Sequence, residues 1–211
     1  MPTLEEDIKE LENTRSPKRR AAAKRIRKRG DDSAGPALLA ALHKEVEDSR
    51  TWETQCEMIK ALGECGYSDA VPFLIELASQ EYKATAIYGA LGFAICLLSD
   101  IPHGRLDYFR ATFESTNERL ISGACSALLH ADVVPTIPDI QWIITAIRDL
   151  KVDADEGRVV TPRTYIAALA YAWPPNETRE FLESCMKSRW PTLVSIAKSS
   201  LSGERSKYTL I

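Results

Sequence analysis

An internal repeat constrains the fold of this chain more than any other feature of its sequence. The segment AAAKRIRKRGDDSAGPALLAAL overlays the region of CEMIKALGECGYSDAVPFLIEL at an offset of 36 residues. Such self-similarity is typical of stacked repeat architectures. Seven pairs of compatible residues match: Ala23 and Ile59, Ile26 and Leu62, Gly30 and Gly66, Ala34 and Ala70, Pro36 and Pro72, Leu38 and Leu74, and Leu39 and Ile75.

The matched glycines and prolines predict the unit of the repeat. Gly30 and Gly66 follow stretches with a helical apolar period, where a helix end favours a residue that tolerates the left-handed conformation. Pro36 and Pro72 fall where the first turn of the next helix is expected, and a missing N–H costs nothing there. The unit is therefore a helix, a tight turn and a second helix.

The repeat continues with less regularity toward the C-terminus. A third copy follows the second, residues 117–130 and 138–150 form a fourth pair, and a fifth pair opens at Pro162 after a polar loop over 151–161. PTLVSIAKSSL, from Pro191, predicts a last helix that caps the array. Strand patterns are almost absent, so we predict at least ten helices.

We expect a single all-α domain over residues 1–211 with one continuous core. It comprises an N-terminal capping helix within 1–14, repeats over 15–200 and a polar tail over 201–211. The apolar period places these residues in the core: Ile59, Leu62, Leu74, Ile75, Ile95 and Leu98.

The first two repeats resemble the HEAT repeat, in particular the short bacterial HEAT-like units related to phycobilin lyases. The resemblance rests on paired small residues, a Leu or Ile, a Gly, an acidic turn and an Ala-x-Pro-x-Leu helix, and it covers about residues 14–200. It implies an α-solenoid, a right-handed superhelix of about five helix pairs plus a capping helix, which is usually not an enzyme. The resemblance also places the second helix of each pair on a concave face that binds a partner.

Composition and charge exclude several classes of protein. Apolar residues make up 45 % and charged residues 27 % of the 211-residue chain, which is typical of a globular protein. The longest uncharged stretch, which begins at Ala84, is shorter than the roughly 18 residues of a membrane span. The N-terminus is acidic and the five cysteines include no C-x-x-C pair. These features predict a soluble, cytoplasmic protein with reduced thiols.

A basic run is the strongest local signal. Residues 15–29 contain nine Lys and Arg and no acid, and the rest of the chain carries 18 basic against 30 acidic residues, a net charge of −12. The run could bind phosphates or an acidic partner, or it could be a solvated end helix neutralised by the acids of the first helix. These acids are Glu5, Glu6, Asp7, Glu10 and Glu12. The acidic remainder would instead suit a basic target.

No assembled catalytic or metal-binding pattern is visible. The three histidines have no Cys or acid at metal-ligand spacing, so we predict no metal and no cofactor. A HEAT-like fold also occurs in alkylpurine DNA glycosylases, which hold a damaged nucleotide with tryptophans and a nearby carboxylate. Trp142 precedes Asp149 by two helical turns and Trp173 precedes two prolines, so that pattern does not carry over. We expect Trp142 to pack in the core and Trp52 to be half-exposed.

The favoured function is a protein–protein interaction module without enzymatic activity, either an adaptor or a neutralising partner of the kind that bacterial immunity proteins represent. The alternative is a nucleic-acid-binding HEAT-like protein, related to the alkylpurine DNA glycosylases, that contacts phosphates through the basic helix over residues 15–29. The helices that would line the concave face begin near Pro17, Thr51, Tyr82, Asn117 and Pro162. Their candidate partner-binding residues are Lys18, Arg19, Arg20, Trp52, Glu53, Lys83, Tyr88, Arg119, Ser122, Arg163 and Tyr165.

Overall fold

The computed structural model describes residues 2–150 and 160–207. Across these residues the chain forms twelve α-helices and no β-strand, which confirms the all-α helical repeat fold. Most of the predicted polar loop, over 151–159, and the last residues of the tail lie outside the described residues. The helices are α1 (Leu4–Glu10), α2 (Ser16–Arg29), α3 (Gly35–Glu45), α4 (Trp52–Glu64), α5 (Val71–Ala78), α6 (Ala86–Ser99), α7 (Asp107–Glu114), α8 (Glu118–His130), α9 (Ile137–Asp149), α10 (Pro162–Leu169), α11 (Pro175–Met186) and α12 (Pro191–Leu201).

The repeat signals in the sequence act as predicted. Gly30 and Gly66 adopt φ values of +65° and +74°, the left-handed conformation expected where α2 and α4 end. Pro36 and Pro72 lie in the first turns of α3 and α5. The most extensive packing is not across these tight turns. It joins α2, α4 and α6, which we call the inner helices, and α4 and α6 also pack on the outer helices that precede them, α3 and α5.

The chain divides into two compact units, Met1–Ala124 and Cys125–Ile211. In the first unit, α4 packs between α2 and α6. One hydrophobic cluster extends through this unit from Leu11 to Leu120. In the second unit, α11 packs against α9 and α12, and α10 packs against α12.

Small residues bring the helices of the first unit close together. A Cβ added to Gly63 of α4 would lie 2.9 Å from the Cα of Ala94 on α6. A Cβ added to Gly92 of α6 would lie 2.1 Å from the backbone oxygen of Leu120 on α8. The backbones therefore approach too closely to admit a side chain at these two positions.

The predicted core is correct except at one residue. Ile59, Leu62, Leu74, Ile95 and Leu98 are buried, as expected. Ile75 is 47 % exposed, so its predicted burial is wrong. Successive helical residues are separated by about 100°, and Leu74 and Leu77 of α5 are buried. Ile75 therefore lies about 100° from Leu74 on the side away from Leu77, and its side chain is directed toward solvent.

The apolar composition of α6 accompanies its burial. By length and composition alone the 18-residue window Ala86–His103, with a mean hydropathy of 1.4, could cross a membrane, and 56 % of it is buried within the protein. The longest uncharged stretch in the sequence does not include the whole of this window, because Asp100 lies inside it. Burial between α4, α5 and α7 gives α6 the environment of a core helix.

Candidate partner-binding face

The candidate site is the surface of α2 and α4 that points away from α3, which we call the inner face. Ala22, Ala23 and Ile26 of α2 are fully buried. Pro17, Ala21, Lys24 and Lys28 recur at intervals of four, three and four residues on the opposite side of α2, and all four are exposed. On α4 the repeat-equivalent positions of these residues are Glu53, Glu57, Lys60 and Glu64.

Two arginines of α2 are neutralised by α4. Arg20 forms an ion pair with Glu53. Arg27 contacts Glu57 at 2.7 Å and Glu64 at 2.9 Å, measured from its guanidinium nitrogens to the carboxylate oxygens. The acids that interrupt the positive charge in the second repeat are therefore the partners of the arginines in the first.

Arg19 belongs to a buried network rather than to the open surface. Its guanidinium donates to the carboxylate of Glu45 at 2.6 and 2.9 Å and to the backbone oxygen of Asn13 at 2.7 Å. The hydrogen bond to Glu45 raises the pKa of Arg19. The Glu45 side chain is 3 % exposed, and it also accepts from the hydroxyl of Ser16. The pair holds α2 against α3, so Arg19 is occupied within the protein.

The opposite side of α2 is neutralised by α1. Asp7 is fully buried, and it accepts from Arg25 at 2.6 Å and from Arg29 at 3.4 Å. Lys18 lies 3.7 Å from Glu10. Of the five acids expected to neutralise the basic run, Asp7 and Glu10 thus do so directly. Helices α3 and α4 supply the remaining acids of these pairs.

Three lysines remain outside these ion pairs. Among the described residues the ion pairs do not include Lys24, Lys28 or Lys60. Lys24 and Lys28 belong to the basic run, but neither was a predicted site residue, and Lys60 was missed as well. The repeat register is a signal that finds Lys60, because it lies 36 residues after Lys24.

Trp52 is half-exposed, as predicted. It begins α4, and 36 % of its surface is accessible. Trp52, Ile59 and Gly63 lie on one side of α4, and Gly63 is the residue that touches α6. Trp52 therefore lies in the first turn of α4, on the side of the helix that faces α6.

The start of α6 differs from the prediction. The helix begins at Ala86 rather than near Tyr82, and Lys83 is exposed in the preceding loop rather than on the inner helix. Tyr88 stabilises this loop, since its hydroxyl donates to the backbone oxygen of Gln80 and accepts from the backbone N–H of Tyr82. The ring of Tyr82 packs edge-on against that of Tyr88.

The other predicted residues are half-buried. Arg119 and Ser122 lie in the first turns of α8, where the side chain of Asn117 accepts from the backbone N–H of Arg119. Arg163 and Tyr165 lie in the first turn of α10, in the second unit. Thr161 caps α10 in a capping box, as its position before Pro162 predicts.

The thiols near this face are poorly ionised. Burial raises the pKa of Cys56 to about 11, and the nearby Glu57 and Glu53 raise it as well. Burial also raises the pKa of Cys65 to about 11. Across the parts of the chain that the structure describes, no group of three or more His, Cys, Asp or Glu side chains is arranged to hold a metal ion.

Comparison with known families supports the assignment of helical repeats. The family model of the PBS lyase HEAT-like repeat matches residues 54–80, which run from the first turn of α4 past the end of α5. The chain carries a HEAT-like repeat. No curated protein and no solved structure matches the chain significantly. The match covers the second of the repeats identified in the sequence, including Gly66 and Pro72.

Proposed function

We propose that the chain is a protein-interaction module that binds a protein partner on its inner face. HEAT-like repeats often mediate protein interactions, and this chain carries one. The observation that supports the proposal most is the exposure of Trp52 beside a close-packed helical surface. Tryptophan is the side chain most enriched among residues that dominate binding energies at protein interfaces.

The partner is bound rather than chemically transformed. The thiols of Cys56 and Cys65 have raised pKa values, which disfavours the thiolate needed for nucleophilic catalysis. Most arginines of α2 are engaged in ion pairs within the protein. An adaptor and a neutralising partner would use the same face, and they differ in whether a bound protein keeps its activity.

Site-directed photo-crosslinking tests this proposal. A photoreactive amino acid at Ala21, exposed on the inner face, is compared with the same amino acid at Ala40, exposed on α3. We expect one protein to crosslink from position 21 in the native cell and not from position 40. Trp52→Ala should weaken that crosslink by about tenfold or more, the loss typical of an interface residue worth above 1.4 kcal/mol. Equal crosslinking from both positions, or none from position 21, would contradict the proposal.

Nucleic-acid binding is the second candidate from the sequence, and the charge pairing of α2 argues against it. Of the arginines in residues 15–29, all but Arg15 form ion pairs within the protein. Phosphate binding needs free cations, and each neutralised phosphate steepens the salt dependence of affinity. We expect no DNA or RNA binding in a gel shift at about 150 mM salt. Submicromolar binding that is lost on replacing Lys24 and Lys28 with Glu would establish this alternative instead.

A further inference from the structure

We infer that Lys24, Lys28 and Lys60 together bind an acidic segment of the protein partner, an inference that rests on the proposed function. The inference rests on a difference between the arginines and the lysines of α2. The arginines at positions 19, 20, 25, 27 and 29 pair with carboxylates of α1, α3 and α4. The lysines on the inner face do not take part in those pairs, and their charge is available to a partner.

The three lysines are close neighbours on the surface. Lys24 and Lys28 are four residues apart on α2, which places their Cα atoms about 6 Å apart along the helix. Lys60 is the repeat equivalent of Lys24 on α4, and packed helices lie about 8–10 Å apart. The Cα atoms of the three lysines are therefore neighbours on two adjacent helices. Carboxylates one helical turn apart on a partner would match the spacing of Lys24 and Lys28.

The charges around the lysines leave this part of the face positive. Arg20 with Glu53 is a neutral pair, and Arg27 with Glu57 and Glu64 carries one net negative charge. Adding Lys24, Lys28 and Lys60 gives a net charge of about +2 at neutral pH. The positive face thus coexists with a negative net charge of −3 for the whole chain.

The extent of the positive region favours an acidic protein segment over a nucleic acid. The third inner helix, α6, contains no charged residue from Ala86 to Ser99. A nucleic-acid groove would continue the positive charge across several repeats because the phosphates recur along the whole strand. A short acidic segment needs only the region that these two helices provide. Trp52 at the start of α4, about 12 Å along the helix from Lys60, offers an additional apolar contact.

Fluorescence anisotropy with a defined probe tests the inference. The probe is a fluorescein-labelled helical peptide whose glutamates recur every fourth residue, and it is titrated with the full chain at low salt. We expect Lys24→Glu with Lys60→Glu to weaken binding about tenfold or more, because electrostatic complementarity is reversed at two of three positions. The matched control is Lys9→Glu with Lys44→Glu, two exposed lysines of α1 and α3, and it should retain the affinity. Circular dichroism verifies that both variants remain folded.

Four outcomes overturn the inference. The first is equal loss of peptide binding in the control variant, and the second is no binding of the acidic peptide by the native chain. The third is a DNA duplex that binds as tightly as the peptide and depends on the same lysines, which would assign the site to nucleic acid. Crosslinking from Ala21 that persists in the Lys24→Glu, Lys60→Glu variant would also overturn it while the proposed function stands. Absence of that crosslink in the native chain would contradict the proposed function itself.

Discussion

Replacing Gly92 with Ala tests whether the close approach of α6 and α8 holds the first unit together. The added Cβ would lie 2.1 Å from the backbone oxygen of Leu120, 3.0 Å from the adjoining carbonyl carbon and 3.1 Å from the backbone nitrogen of Ala124. Ordinary contacts of a Cβ begin near 3.4 Å, so the helices must separate by roughly 1 Å. The obstructing atoms are backbone atoms, which cannot rotate away as a side chain would.

The expected magnitude follows from two opposed effects. Overpacking a close contact costs about 1–3 kcal/mol and occasionally more. Ala in place of Gly within a helix contributes about 1 kcal/mol in favour of folding. Because a backbone atom is involved, we expect the upper part of the overpacking range, and hence a net loss of about 1–2 kcal/mol.

Gly89 of the same helix provides the matched control. A Cβ there would meet only the backbone oxygen of Arg119 at 3.7 Å, an ordinary contact. Gly89→Ala should therefore be neutral or stabilise the protein by up to about 1 kcal/mol. Urea unfolding monitored by circular dichroism measures both changes, and hydrogen exchange of the α6 amides assigns them to the first unit. A Gly92→Ala variant as stable as the native chain, or a Gly89→Ala variant that loses as much, would refute the reasoning.

Three further predictions concern charge and thiol chemistry. Glu45→Ala should lower the free energy of unfolding, measured with urea, by about 3–5 kcal/mol, because it leaves the largely buried Arg19 without its carboxylate partner. The double change Arg19→Met with Glu45→Met should recover much of this loss. Additive losses would contradict the pairing. Cys56, with its pKa raised to about 11 by burial, should react with iodoacetamide at pH 8 more than about a hundredfold slower than a free thiol, and mass spectrometry of the labelled peptide measures that rate. The hydrogen bonds from Arg50 lower the pKa of Asp48 to about 2, so its contribution to stability is present above the unfolded value near 3.9 and is lost as the pH falls through 2. An NMR titration of the Asp48 carboxyl should show that midpoint, and a midpoint near 3.9 would mean that the contact with Arg50 is absent in solution.

Local sequence signals identified most helix ends correctly. Pro162 and Pro191 begin α10 and α12 as predicted, since proline suits the first helical turn. Gly30 and Gly66 end α2 and α4. The start of α6 was misplaced: no proline marks it, and Thr85, its N-cap residue, makes no side-chain capping hydrogen bond. The loop before it is held by hydrogen bonds to Tyr88, six and eight residues from their partners, and no sequence pattern reveals those bonds.

The candidate site was only partly predictable. Trp52 was correctly expected to be half-exposed, because it opens a helix among polar residues. Arg19 and Arg20 were grouped with the exposed cations since they belong to the same basic run. In the structure Arg19 pairs with Glu45 and Arg20 pairs with Glu53. The sequence shows how many cations lie on α2 but not which of them meet an acid.

The repeat alone therefore determined the helical fold, the turns and most of the core, because glycine, proline and apolar spacing act over a few residues. The tertiary structure determined which of the charged side chains form ion pairs within the protein. The partners of Arg19, Arg20 and Arg27 lie 26 to 37 residues away along the chain, and they meet only when neighbouring helices stack. The arginines bridge to acids of the packed helices, whereas Lys24 and Lys28 are exposed and lie outside these ion pairs. The surface available to a partner is thus defined by what helix packing leaves unpaired.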